Sequence, residues 1–250
     1  RQMCIRDRMK VDPVVIGQVG QYSENVYFGK PCGLMDQMAC SVGSLIHIDF
    51  ADPENPIVEQ LKFDLNTYGY SLCITDTKGT HTDLTPDYAA IPQEMKKAAE
   101  CFGKNFLGEV SKEEIINNIT RIRDCAGDRA ALRALHFVCE NERVKEEVDA
   151  LKKNNFPQFL TKVKESGDSS FKYLQNVYTC HDVQHQNVSI ALALSDVIFG
   201  KKGVCRVHGG GFAGTIQAFV PNYLVSNYQK EMDKIFGNGS CEVLKIRKYG

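Results

Sequence analysis

Apolar and polar positions along this chain follow two different periods. Val14, Val15, Ile16, Val19 and Tyr22 recur at helical spacing behind Asp12-Pro13, which predicts a helix with proline in its first turn, fading near Gly29-Lys30-Pro31. Met35, Met38, Ala39 and Val42 predict a short helix between Gly33 and Gly43. Alternation takes over at Ser44 to Phe50, where Ile46, Ile48 and Phe50 oppose Leu45, His47 and Asp49. A turn cluster, Asp52 to Pro56, separates that strand from two more, Ile57 to Phe63 and Tyr68 to Thr75.

The middle of the chain reads as helices. Ile91, Met95, Ala98, Ala99 and Phe102 share one face of a helix from Tyr88 to Phe102. Ser111-Lys112-Glu113-Glu114 is an S-x-x-E capping box that opens another. Long apolar stripes continue through 130–153, 156–174 and 188–199. Strands return at Gly203 to His208 and Ala213 to Val220, followed by a helix from Pro221 to Phe236 and a strand from Cys241 to Ile246. Strands mixed with long helices in this order predict an α+β fold rather than a regular βαβ repeat.

Composition adds exclusions. The chain has 250 residues, 43% of them apolar and 24% charged, enough for one or two domains with a sizeable core. A formal net charge of −1 gives no basic excess for a nucleic acid or an anionic membrane. No apolar run reaches the ~18–20 residues of a membrane-spanning helix, and no apolar signal segment stands at the N-terminus. Residues 1–11 lack a clean period and are expected to be a non-native leader. The ten cysteines are scattered without a C-x-x-C pair, so they are expected to be reduced thiols acting as small core hydrophobes.

Two segments carry candidate chemistry. The first runs Glu24-Asn25-Val26-Tyr27-Phe28-Gly29 and on through Cys32-Gly33-Leu34-Met35-Asp36-Gln37. Its glycine allows close backbone approach to a ligand, and Asp36 falls in the first turn of a predicted helix, where the dipole favours a carboxylate. Capping alone would also account for such an Asp. The second is His208-Gly209-Gly210-Gly211-Phe212-Ala213-Gly214 between two apolar runs. Three glycines can wrap a phosphate with N–H groups or simply make a tight turn. No Gly-Lys-Ser/Thr follows, so the run is not a P-loop. Cys180-His181-Asp182 and His185 are conceivable metal ligands, but no second cluster completes a site and no metal site is expected.

In this order and separation the two segments resemble the galactokinases of the GHMP kinase superfamily. The first matches their E-N-x-F/Y-x-G and C-G-x-M-D-Q pattern, and Gly209 to Gly214 matches their glycine-rich third motif. The resemblance runs from about Asp12 to Gly250 and implies a GHMP-kinase fold. Residues 12–66 would complete an N-terminal domain and 67–250 would form a C-terminal α/β sandwich domain, with sugar and ATP in the cleft between them. It implies ATP-dependent phosphorylation of the galactose C1 hydroxyl, in the cytoplasm. By the same resemblance Asp36 is the catalytic aspartate, Gly33 a backbone contact to the sugar, and Tyr88 a sugar-contacting tyrosine seven positions after His81. Gly209, Gly210, Gly211 and Gly214 are the glycines of the third motif.

The chain departs from the family at Thr80, where many members have Arg, at Ile91-Pro92 in place of an Arg pair, and at Ala213, where they have Gly. The family's motif with the catalytic Arg, and its serine-rich loop for the ATP phosphates and Mg²⁺, have no counterpart in the 250 residues. The expectation is therefore an N-terminally truncated kinase, inactive by itself. A galactokinase-like sensor that binds sugar, ATP and a regulator, or a GHMP kinase for another sugar, are the alternatives.

Overall fold

The computed structural model describes residues 11–29, 32–52, 54–79 and 84–247. The expected leader therefore lies outside the described residues up to position 10. So do Thr80 and His81. The described residues form two compact units. One holds the residues up to Asp64 together with the segment from Lys245, and the other is Leu65–Leu244.

In the first unit, α1 (Pro13–Tyr22) starts at Asp12, whose side chain accepts from the Val14 N–H at 2.8 Å. A π-helical turn, Ser23–Tyr27, extends it. α2 (Met35–Val42) packs across α1 at Gly17, where an added Cβ would stand 3.3 Å from the Met38 backbone. β1 (Leu45–Asp49) and β2 (Ile57–Leu61) form an antiparallel pair with Leu45 opposite Leu61.

The second unit is built on a four-stranded antiparallel sheet in the order β4-β5-β3-β6. β3 is Tyr70–Asp76, β4 Val204–Val207, β5 Thr215–Pro221 and β6 Cys241–Leu244. Alternate residues Cys73, Cys205, Val207, Ile216, Ala218 and Val220 are buried against α8 (Asn187–Phe199) and α9 (Val225–Phe236). On the other face Phe219 meets Phe159 of α7 (Phe156–Ser169) edge-on at 5.4 Å. Gly167 of α7 lies so close to β4 that a Cβ there would sit 3.0 Å from that of Arg206.

A separate helical core joins α3 (Thr85–Glu100), α4 (Lys112–Asn117), α5 (Ile119–Ala126) and α6 (Asp128–Lys152) through Ala98, Ala99, Ile115, Ile122, Ala131 and Ala134. The capping box forms as expected: Ser111 accepts from the Glu114 N–H, and Glu114 accepts from the Ser111 N–H at 2.9 Å.

One expectation is corrected here. Cys101 and Cys125 form a disulfide, with their Cα atoms 6.3 Å apart. Cys101 closes α3 and Cys125 lies in the last turn of α5, so helix packing brings together two thiols separated by 24 residues. Spacing along the chain carries no trace of that pairing. Among the described residues the other cysteines, such as Cys40, Cys73, Cys139, Cys180, Cys205 and Cys241, are thiols outside any disulfide.

Between α6, α7 and β4 lies a cluster of charges. Glu140 accepts from Ser166 and pairs with Arg143, and Arg206 approaches it at 3.7 Å. Burial pushes the half-buried Glu147 carboxyl up to about 7; the Arg206, Arg143 and Lys162 charges pull it down only in part, and Glu140 adds to the rise. Burial likewise pushes the His136 imidazole down to about 4. The folded Glu147 holds its proton more tightly than the unfolded one, which titrates near ~4.3. Its contribution to stability is therefore complete at low pH and is lost as pH rises through 7. A neutral Glu147→Gln chain escapes that loss. Its melting temperature should gain roughly 2–6 °C on the wild type between pH 5 and pH 8. His136 titrates in both proteins and cancels in the difference. A difference that stays flat across this window would show that Glu147 is ionised throughout.

Candidate functional site

The C-G-x-M-D-Q segment is held by its own polar residues. The Asn25 Oδ1 accepts from the Cys32 N–H at 2.7 Å, and the Gln21 Nε2 donates to the Cys32 carbonyl at 3.2 Å. The Gln37 Nε2 donates to Glu24 at 3.1 Å. Glu24, Asn25 and Gln37 thus fix the loop that leads into α2. The N-cap of α2 is Leu34, so Asp36 sits inside the first turn rather than capping it. Its side chain is exposed and has no hydrogen-bond or ion-pair partner among the described residues. Gly33 is exposed too, and a Cβ there would meet nothing within 4 Å. No internal packing demands glycine at 33, which leaves that face of the backbone open.

The glycine motif belongs to the second unit and joins β4 to β5. Gly209, Gly211, Phe212 and Gly214 all have left-handed φ, at 68°, 84°, 57° and 88°. Two of its N–H groups are used internally: Phe212 donates to the Asn176 carbonyl at 2.5 Å and Ala213 to the Gly211 carbonyl at 2.6 Å. The N–H groups of Gly209, Gly210, Gly211 and Gly214 donate to no acceptor among the described residues. Left-handed glycines with free N–H groups are the makings of an anion-binding concavity.

Tyr88, in the first turns of α3, packs directly on this loop. Its hydroxyl donates to the Gly211 carbonyl at 2.7 Å, and its ring meets Phe212 edge-on at 5.3 Å. An added Cβ at Gly210 would stand 2.8 Å from the ring. Burial raises the Tyr88 phenol above its usual range. Pro92, one turn on in α3, has no N–H for the Tyr88 carbonyl, so the helix loses one bond at this point. The family departure at Ala213 also has a local answer. Its methyl faces Gly79, where a Cβ would come within 3.1 Å of it.

Beside the loop opens a cavity of about 560 Å³, lined among others by Asp87, Thr179, His181, Asn187, Phe212 and Ala213. Asp87 is 9% exposed. His181 and His185 lie on a non-helical segment and do not share a helix face. His185 pairs with Asp182 at 2.7 Å, and Asp182 also accepts from the Gln184 N–H at 2.9 Å. Among the described residues no three His, Cys, Asp or Glu side chains gather to hold a metal ion. No described helix is long and apolar enough to cross a membrane.

Each candidate residue thus has a place: Gly33 and Asp36 on one unit, Tyr88 and the four glycines on the other. Sequence reasoning missed Glu24, Asn25 and Gln37 as the scaffold under Asp36, and it missed Asn176 altogether.

No protein-family model matches the chain. It is 30% identical over 224 residues to a galactokinase of Glaesserella parasuis, across 86% of this chain and 56% of that protein. To a galactokinase of Actinobacillus pleuropneumoniae it is 28% identical, with the same two coverages. Among solved structures it is similar to Lactococcus lactis galactokinase complexed with galactose, with a TM-score of 0.73 and 25% identity over 96% of this chain and 61% of that one. The chain therefore spans little more than half the length of the relatives it matches.

Proposed function

We propose that this chain, a galactokinase homologue with the galactokinase-like GHMP fold, is the acceptor-handling part of an ATP-dependent sugar kinase that phosphorylates the anomeric hydroxyl of galactose. The observation that carries this reading is Asp36. It is an exposed carboxylate in a helix first turn, neither a cap nor an ion-pair partner within the described residues, just after a loop that three motif residues hold in place.

Phosphoryl transfer passes through a loose transition state, so positioning and charge neutralisation supply most of the catalysis. Asp36 orients the sugar hydroxyl toward the γ-phosphorus and takes its proton as the new bond forms. Gly33 contributes open backbone to the same sugar. Tyr88, which the family resemblance assigns to the sugar, holds the glycine loop through its hydroxyl. The loop offers its four free N–H groups to phosphate oxygens. Mg²⁺ would neutralise phosphate charge, but among the described residues no cluster of carboxylates, thiols or imidazoles offers a cage for it. The ATP loop and catalytic Arg of the family would come from the part of those proteins that this chain does not span.

Coupled ADP-release assays test the reading. The 250-residue chain alone is expected to show no galactose-dependent ADP release. A form extended by the N-terminal part that the matched galactokinases carry is expected to turn over galactose, and to prefer it to glucose by at least ~100-fold in kcat/KM. A site that hydrogen-bonds one hydroxyl rejects the epimer because buried polar groups are left unpaired. Activity of the short chain would refute the division of labour. Faster turnover of another sugar would move the substrate.

A further inference from the structure

Asn176 grips the glycine motif on both sides of Gly211. It lies between the π-helical turn Ser170–Leu174 and α8, and it is 3% exposed. Its Nδ2 donates to the Gly210 carbonyl at 3.2 Å, and its own carbonyl accepts from the Phe212 N–H at 2.5 Å. The two backbones are in direct apposition, since a Cβ on Gly211 would fall 1.9 Å from the Asn176 oxygen. Gln175, just before it, adopts a left-handed conformation with φ 57° and ψ 52°. The Asn176 Oδ1 is buried with no hydrogen-bond partner, so the amide spends its donor on the loop and leaves its acceptor idle.

We propose that Asn176 is a positioning residue. It holds Gly209 to Gly214 in the left-handed run that leaves four glycine N–H groups free, so that the loop is shaped before an anion arrives. The kinetic half of this inference rests on the reading of the loop as a phosphate cradle; the conformational half does not. Only a short side chain with a donor can make the contact. A carboxylate at 176 would oppose the Gly210 carbonyl, whereas a protonated carboxyl could donate to it.

Amide exchange on the 250-residue chain tests the conformational half. In Asn176→Ala the Phe212 and Ala213 amides should lose at least tenfold in protection, while Ala218 and Val220 in β5 stay within twofold. Equal protection of Phe212 would overturn the proposal, and so would an equal loss in β5, which would mark Asn176 as general packing. In Asn176→Asp the Phe212 protection factor should be low at pH 8 and recover as the pH falls toward 5.5. A pH-independent factor would mean that the Gly210 contact does not hold the loop. In the longer form, Asn176→Ala should lower kcat/KM for ATP at least tenfold with the galactose KM within twofold. Unchanged ATP kinetics in an active enzyme would overturn the proposal. A wild-type enzyme without sugar-dependent turnover would sink the kinase reading and leave the exchange result to decide for Asn176.

Discussion

Gly211→Ala should be the most damaging single-methyl addition in the second unit. The new Cβ would lie 1.9 Å from the Asn176 carbonyl oxygen and 2.9 Å from its carbon, both backbone atoms that cannot swing aside. Its φ of 84° adds strain of about 1–2 kcal/mol for any residue with a Cβ. Relief requires the loop and the segment around Asn176 to part, which breaks the Phe212 N–H bond and the Tyr88 hydroxyl bond together. A total of ~4 kcal/mol lies within the range of severe single substitutions and corresponds to a fall of roughly 8–16 °C in melting temperature for a unit of this size. Gly209→Ala is the control. It carries a similar φ of 68°, but its Cβ would meet nothing within 4 Å, so only the strain of ~1 kcal/mol remains. Thermal unfolding followed by circular dichroism separates the two. Equal shifts for both variants would mean that the loop sits farther from Asn176 than the structure has it.

The reach and the limits of the sequence reading share one cause. Strands β3 and β5 and helices α3 and α6 were legible because each buries one face, and burial of one face imposes a period of 2 or 3.6. Helix α5 escaped: at eight residues, with Ile122 its single fully buried side chain, it leaves too short a stripe to read. The glycine motif was legible as a run, and the structure refines the reason for it. Gly210 is required by the Tyr88 ring rather than by a positive φ, while Gly209, Gly211 and Gly214 carry the left-handed conformations. Asn176 was invisible because it meets the loop across 34 residues, in a segment with neither helical nor strand period. The Cys101–Cys125 pairing was invisible for the same reason. Contacts between elements leave no local pattern; only a motif shared with relatives marked Asp36, and no such motif covers Asn176.

Asp36→Asn should separate chemistry from architecture. The change is nearly isosteric and removes only the charge. The Asp36 side chain is exposed, is not the N-cap of α2, and makes no hydrogen bond or ion pair with the described residues. Folding should therefore register little beyond the lost interaction with the helix dipole, a few tenths of a kcal/mol to about 1 kcal/mol. Catalysis in the longer form should register a great deal. A positioned carboxylate that orients the hydroxyl and accepts its proton contributes on the order of 10²–10⁴ to the rate. If Gly33 and other groups also hold the sugar, as proposed, KM should change only a few-fold while kcat carries the loss, the signature of an interaction made mainly in the transition state. Steady-state kinetics with galactose and ATP, alongside melting curves of both proteins, decide the matter. Turnover within a few-fold of wild type would reduce Asp36 to a surface carboxylate favoured by the helix dipole. A large fall in melting temperature together with lost turnover would instead assign it a structural partner.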